Sequence, residues 1–367
     1  MKIIHIYWSL TFGGIETMLV NIANAQVALG ADVDVILIND HIDKALVNRF
    51  NPNVNIHVMG RKVGSKSIGF FFKLNRLLVA IKPDVIHLHD SRLYKLLLFK
   101  RFRKKACVTL HALPYGNISS DKFLYRLIPF LNFSAYGNVS YLDEIPKIFS
   151  ISDSVKQCLS QNYDLKSSTI LNGIDTSMFP VKSEINNQMS TFRIISVGRL
   201  DHKIKGQDLL IRAVSLLSKD IDLDVTFVGA GESLSFLQKL VDDLGLQKKI
   251  HFLGKKSQEF IAKELSHYDL FVQASRHEGF GLTVAEAMAA KVPVLVSSGQ
   301  GPAEVTCGTK YGWVFCNGDV EDLAMKITFV YSNYSEAIKK AESSLQYVRD
   351  TYDVSVTAKK YLNSYLR

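Results

Sequence analysis

Long apolar runs are missing from this 367-residue chain, and so is any pairing pattern among its four cysteines. No stretch reaches 18 uninterrupted apolar residues, which argues against a membrane-spanning helix. The start, MKIIHIYWSL, reads as a first β-strand and lacks the apolar region and small-residue cleavage site of a signal peptide. Cys107, Cys158, Cys307 and Cys316 lie far apart with no C-x-x-C. They read as reduced thiols of a cytoplasmic protein rather than a zinc site or disulfide framework. No G-x-G-x-x-G follows a strand, which speaks against a nicotinamide oxidoreductase. Nucleic-acid motifs, internal repeats and low-complexity tracts are lacking too.

What is present is a globular composition, 47% hydrophobic and 22% charged, at a length that suits two domains. The net charge of +9 is unevenly placed. Residues 1–170 carry 21 Lys and Arg against 12 Asp and Glu, whereas residues 171–367 carry 23 of each sign. A basic first half attracts an anionic partner such as a lipid surface or a polyprenyl diphosphate, with nucleic acid ranked last.

Strand-like and helix-like segments alternate twice. The first series has strands near 2–8, 33–38, 55–59, 84–89 and 106–111, with helices near 14–29, 66–81, 92–103 and 120–136. The second has strands near 192–199, 223–231, 249–254, 269–275 and 292–298. Such alternation implies βαβ units and two doubly wound parallel sheets. A polar stretch with Pro180, around 172–191, is the expected hinge, and 335–367 reads as helix throughout. In open parallel sheets ligands bind beyond the strands' carboxyl ends, so chemistry is expected just after strands.

The run HEGFGLTVAEAMAAKVPVLVS (277–297) holds the most informative pair, Glu278 and Glu286. Gly279 and Gly281 flex the loop before a helix that opens at Leu282 and Thr283. Amides at a helix N-terminus receive phosphate oxygens well. Two acids around such an anion site suit a nucleotide-sugar, although the spacing alone also fits a helix with a surface Glu. In VGRLDHKIKGQDLL (197–210), Arg199 ends a strand and Lys205 precedes the Gly206 that opens a helix. A guanidinium and an ammonium there would stabilise the charge of a departing diphosphate, or would merely line a basic loop. Gly13-Gly14 after the first strand permits close backbone approach to an anion, or simply makes the turn. Gly229 and Gly231 follow one strand, Leu253 ends another, and His111 closes a third. His87 and His89 point to one face of their strand, but no third metal ligand is evident beyond Asp90.

The Glu-x7-Glu run, the Arg199/Lys205 pair, the glycine turns and Asn172-Gly173-Ile174-Asp175 come in an order that resembles retaining glycosyltransferases of family 4. The resemblance covers most of 172–305, with further markers in the first half. It implies the GT-B fold: two Rossmann-like doubly wound domains facing across a cleft. The expected acceptor-binding domain is 1–172, with helix 352–367 crossing back onto it, and the nucleotide-sugar-binding domain is 173–351. It further implies transfer from a nucleotide-diphosphate sugar, UDP favoured and GDP possible, with no cofactor and no metal. Arg199, Lys205 and Glu278 would be catalytic, Glu278 positioning the donor rather than acting as nucleophile. Gly13, Gly14, His111, Gly229, Gly231, Leu253, Gly281, Leu282, Thr283 and Glu286 would bind the donor, Glu286 through the ribose.

The acceptor side is less legible. Residues 91–105 hold seven basic side chains and no acid. Leu93, Leu96 and Leu97 are expected to face the sheet, with Leu98, Phe99 and Phe102 on the opposite side. The segment 66–81 is similar, apolar nearly all round with Lys66, Lys73 and Arg76 on a narrow strip. Apolar residues ringed by cations fit a face that docks on anionic lipid, or two helices buried by neighbours. A lipid-linked glycan acceptor, in cell-surface polysaccharide assembly at the inner face of the membrane, is the expectation. A nucleotide-sugar epimerase of similar fold and a non-catalytic nucleotide-sugar-binding protein are the alternatives.

Overall fold

β-Branched and apolar residues on both faces mark strands that are covered by helices on each side, and that is how they fold. The computed structural model describes residues 1–11, 13–65, 67–114, 139, 141–183, 191–217 and 221–366. It divides into two compact units, Met1–Gly173 with Val354–Arg367, and Ile174–Asp353.

The first unit is built on a seven-stranded sheet in the order β3-β2-β1-β4-β5-β6-β7. Its strands are β1 (Lys2–Tyr7), β2 (Asp32–Asn39), β3 (Asn55–Arg61), β4 (Val85–Leu88), β5 (Ala106–Leu110), β6 (Lys147–Ser150) and β7 (Ser168–Thr169). The second carries six strands in the order β10-β9-β8-β11-β12-β13. These are β8 (Phe192–Val197), β9 (Leu223–Val228), β10 (Ile250–Phe252), β11 (Leu270–Gln273), β12 (Val294–Ser297) and β13 (Trp313–Phe315). All pairings in both sheets are parallel. Each sheet reverses its winding once, between β1 and β4 and between β8 and β11. At those points the loops leave in opposite directions and a crevice opens at the carboxyl edge.

The expected doubly wound α/β class is therefore what the chain adopts. The strands β6, β7 and β13 are not among those expected, and β7, two residues long, has too few positions to show a pattern in the sequence. Helix 92–103 is instead a 3-10 turn (Ser91–Leu96) and a single helical turn (Lys100–Arg103). The buried Asn75 explains the break: its amide donates to the Leu96 carbonyl (2.8 Å) and accepts from the Leu98 N–H (2.9 Å). Those two backbone groups are thereby withdrawn from a helical ladder. Leu93, Leu96 and Leu97 are buried and Leu98 and Phe99 exposed, but Phe102 is buried, contrary to the helical projection. The expected helix 120–136 lies outside the described residues.

The C-terminal stretch is two helices, Tyr334–Tyr352 and Val354–Tyr365, because Asp353 takes an extended conformation (φ −60°, ψ 135°). Its carboxylate accepts from the Thr176 hydroxyl at 2.6 Å. The final helix belongs to the first unit, where Ala358 and Tyr361 pack with Met18, Ile22 and Phe149. Thr357 donates to the Leu171 carbonyl (3.0 Å), and a Cβ on Gly173 would lie 2.6 Å from the Val354 Cα.

Beneath this helix the first sheet holds a polar core. His5 and His87 face each other across β1 and β4, His89 stacks on both, and His111 stacks on His89. Burial pushes His5 down to about 4 and His111 to about 3, and holds His87 and His89 well below the usual imidazole range. An unfolded chain would protonate all four near pH 6.5 while the folded unit leaves them neutral. The unfolded state thus binds more protons, and stability falls as pH drops from about 6.5 toward 4. The melting temperature of the unit containing 1–173 is expected to decline over that window. His5→Phe should flatten the decline in a thermal-unfolding pH series.

Candidate functional site

The reversal between β8 and β11 gathers three loops at the carboxyl edge of the second sheet. Glycines let them interlock. A Cβ on Gly229 (φ +149°) would sit 1.9 Å from the Gly198 carbonyl oxygen, and one on Gly231 would sit 2.2 Å from that of Leu200. The backbone closes the contact: Leu200 N–H donates to the Ala230 carbonyl at 3.1 Å, and Gly229 N–H to Gly254 at 3.0 Å. Gly229 and Gly231 therefore shape the loops themselves. Leu253 spends its amide on the Phe227 carbonyl (3.0 Å) and leaves its side chain 40% exposed.

Lys205 closes a one-turn helix, His202–Lys205, ended by Gly206 in the left-handed region (φ +64°). A Cβ on Gly206 would fall 1.9 Å from the Ala274 carbonyl oxygen, so only glycine lets this turn approach the end of β11. The next residues lock the two segments together. Amides of Arg276 and His277 both donate to the Ile204 carbonyl, at 2.8 and 3.1 Å. The Arg276 guanidinium donates to the His202 carbonyl (2.6 Å) and makes a two-pronged ion pair with the buried Asp208 (2.7 and 2.9 Å). Hydrogen bonding to Asp208 raises the Arg276 pKa further.

This clamp carries Lys205 to Glu278, and the two form an ion pair. Both side chains stay partly open to solvent, 24% and 18% exposed. Gln273 Nε2 also donates to Glu278 Oε2 (3.0 Å), and Thr283 Oγ1 donates to Gln273 Oε1 (3.0 Å). Gln300 accepts from the Glu278 N–H at 3.0 Å, and the Glu278 carbonyl accepts from Gly301 N–H at 3.0 Å. The carboxylate's position is thus set from four directions.

The helix Leu282–Ala289 follows, with Gly281 (φ +103°) as its N-cap against Pro302. Leu282 and Thr283 are half-buried at its first turn, where helix amides have no carbonyl partner of their own. Glu286 is buried one turn on and accepts from Gln258 Nε2 at 2.9 Å. The Gln258 Oε1 is buried with no partner among the described residues. Arg199 stands apart: its guanidinium is 64% exposed and pairs with Asp201 at 3.1 Å.

In the first unit, Gly13 caps the helix Gly14–Ala28, and Glu16 folds its carboxylate against that N-terminus. A Cβ on Gly13 would lie 2.5 Å from Glu16 Oε2. The Thr11 hydroxyl donates to Glu16 Oε1 at 2.8 Å, and burial raises the Glu16 pKa. His111 follows β5, with its Nδ1 buried and without a hydrogen-bond partner among the described residues. The sequence shows no third metal ligand for His87 and His89 beyond Asp90, but the structure brings in His5: ligand atoms of His5, His87 and His89 all lie within 4.8 Å of one another. Every ring nitrogen of these three nonetheless holds a hydrogen bond to another protein group. A cation there would have to break that network.

Sequence reasoning passed over Gln273, Gln258, Gln300 and the Arg276–Asp208 pair. Gln273 was findable as the one polar side chain in the apolar strand LFVQ. Arg276 and Asp208 lie 68 positions apart, so nothing local links them.

Two family profiles match the chain, "Glycosyl transferases group 1" over residues 180–347 and "Glycosyltransferase Family 4" over 12–178. An uncharacterised glycosyltransferase of Methanocaldococcus jannaschii is 25% identical over all of this chain and 98% of its own length. The lipopolysaccharide core biosynthesis mannosyltransferase LpcC of Rhizobium leguminosarum is 33% identical over 42% of this chain and 45% of that protein. HepE of Anabaena, solved in complex with UDP and glucose, superposes with a TM-score of 0.76 over 99% of both chains at 19% identity.

A Cβ at residue 206 must displace backbone, so Gly206→Ala is expected to destabilise the second unit by more than about 1 kcal/mol. Urea unfolding of the variant against wild type measures it.

Proposed function

The chain belongs to the family 4-like glycosyltransferases of GT-B fold, and from that premise we propose that it moves a sugar from a nucleotide-diphosphate sugar to a glycan hydroxyl, retaining the anomeric configuration. The observation that carries this reading is the Lys205–Glu278 pair, held at the winding reversal of the second sheet beside a helix N-terminus. In the free protein each charge satisfies the other. When the donor arrives, the diphosphate takes over Lys205 and the sugar hydroxyls take over Glu278. Amides at Gly281, Leu282 and Thr283 add the helix dipole to the phosphate side. Arg199, exposed and paired with Asp201, swings onto the departing diphosphate.

Bond cleavage loads negative charge on the leaving group, so Lys205, already in place, and Arg199, once turned onto the diphosphate, lower the transition state more than the ground state. With that charge met by side chains and amides, the reaction is proposed to need no metal. Glu278 orients the sugar and is not a nucleophile. The acceptor oxygen attacks on the face that the diphosphate leaves, and a leaving-group oxygen accepts the proton. Glu286, with the unpaired Gln258 Oε1 beside it, fits two ribose hydroxyls. The resemblance assigns Gly13, Gly14 and His111 to the donor as well. UDP is favoured because HepE, which shares the fold, is solved with UDP and glucose.

The acceptor is proposed to be a lipid-linked glycan met at an anionic membrane surface. Among the described residues no helix is long and apolar enough to cross a membrane. Phe72, Leu98 and Phe99 are 58%, 49% and 40% exposed, and Asn75 ties their two segments side by side. Arg101 lies over the Phe99 ring at 5.2 Å. Exposed apolar side chains rimmed by cations are what an anionic bilayer surface attracts.

Charge-assisted hydrogen bonds contribute about 1.5–3 kcal/mol each, so Lys205→Ala is expected to lower kcat by about 10- to 100-fold with the fold intact. Mass spectrometry with a panel of UDP- and GDP-sugars and a prenyl-diphosphate-linked acceptor tests this. Undiminished transfer by Lys205→Ala refutes the leaving-group role, and simple epimerisation of the donor refutes transfer. Chelation of divalent cations is expected to leave the rate unchanged. Leu98→Ser with Phe99→Ser should reduce sedimentation with anionic vesicles, and no binding by wild type would sink the membrane assignment.

A further inference from the structure

We propose that Gln26, His5 and His89 are positioning residues that hold His111 in one tautomer, leaving its Nδ1 as a bare acceptor for a ligand hydroxyl. The four side chains form an unbranched chain of hydrogen bonds through the first unit. Gln26 Oε1 meets His5 Nε2 at 2.8 Å, His5 Nδ1 meets His89 Nε2 at 2.9 Å, and His89 Nδ1 meets His111 Nε2 at 3.0 Å. Each neutral imidazole has one N–H to give and one lone pair to receive. The carbonyl oxygen of Gln26 only accepts, so His5 must donate from Nε2. Its Nδ1 is then an acceptor and takes the N–H of His89 Nε2. By the same rule His89 Nδ1 takes the N–H of His111 Nε2.

The chain ends at His111 Nδ1 with a lone pair and no proton. That atom is buried and, among the described residues, meets no donor. Buried polar atoms are almost always paired, and each exception asks for an explanation. Here the explanation is a ligand. His111 stands just past β5, at the same carboxyl edge as Tyr7, which ends β1, and His89 and Asp90, which follow β4. Beside the winding reversal of a parallel sheet, that edge is where ligands enter. Burial keeps the imidazoles neutral, so the chain passes direction and not charge. Gln26 is also anchored from behind, its Nε2 donating to Tyr365 OH at 3.4 Å. The partner this end selects is a hydroxyl donor on a polyhydroxylated ligand. That it is a sugar hydroxyl rests on the glycosyl-transfer reading above.

Long-range 1H–15N correlation spectra of the histidine-labelled full chain, without ligand and near neutral pH, read the tautomers directly. His111 is expected to carry its proton on Nε2 alone. In Gln26→Met and in His89→Phe the preference should give way to a mixture of both tautomers. A proton on Nδ1 in wild type overturns the proposal, as does an unchanged tautomer in both variants. The wild-type spectrum decides the direction even where a variant fails to fold. For the ligand, His111→Asn keeps an oxygen acceptor near Nδ1 and His111→Phe does not. Donor-sugar turnover should fall about tenfold further in the Phe variant than in the Asn variant. Equal losses in both overturn the acceptor role. A wild type that turns over no UDP- or GDP-sugar refutes the glycosyl-transfer reading instead, and the spectra then decide the tautomer claim on their own.

Discussion

Close approach of backbone to backbone at the carboxyl edge of the second sheet is the constraint from which the rest follows. Gly206 and Gly229 adopt left-handed or extended positive-φ conformations with carbonyl oxygens where a side chain would begin, and Gly231 packs as tightly with ordinary backbone. Because these contacts exist, the turn bearing Lys205 reaches the loop bearing Glu278. Arg276 then converts proximity into rigidity. Its two-pronged pair with Asp208 and its bond to the His202 carbonyl hold one loop against the other. A catalytic group gains from such fixation because reorganisation has been completed before the substrate arrives.

Charge is handled differently in the two units. In the second, ionised partners sit partly open to solvent, so their attraction is moderated and each is available to a ligand. In the first, the polar groups beneath the C-terminal helix are neutral and sealed. His87 is held between Tyr365 OH (2.6 Å) and Thr109 Oγ1 (2.7 Å), and Thr109 meets Tyr361 OH at 2.9 Å. Two tyrosines of the last helix are thus bonded into the first sheet. Satisfied networks of this kind define one packing arrangement, since any shift leaves a buried polar atom unpaired. They account for the return of the chain's end to the unit where it began.

Strands and helices were readable wherever a periodic segment was long. The parallel, doubly wound class followed from alternation alone, because strands buried on both faces read as continuous apolar runs. Short strands such as β7, two residues long, escaped because no period can show in so few positions. The helical projection of 91–105 failed at Phe102 because Asn75, sixteen or more positions earlier, removes backbone partners from the ladder. At the site, acids after strands and a lysine before a glycine were visible as residue types in suggestive places. The glutamines that orient them were not, since an amide earns its role only through neighbours that the chain brings in from far away.

The alternation of strands and helices, the glycines that demand special backbone, and the charged residues placed just beyond strand ends were determined by the sequence. These are local matters, written in runs of a few residues. Which charges meet was decided by tertiary structure alone. Lys205 and Glu278 are 73 positions apart, Gln258 and Glu286 are 28, and Arg199 turns to its neighbour Asp201 instead of joining them. His5 completes a cluster with His87 and His89 only because β1 and β4 pair in parallel register. A side chain's partner depends on how sheets wind and loops pack, and that information is spread over the whole chain rather than held at any one position.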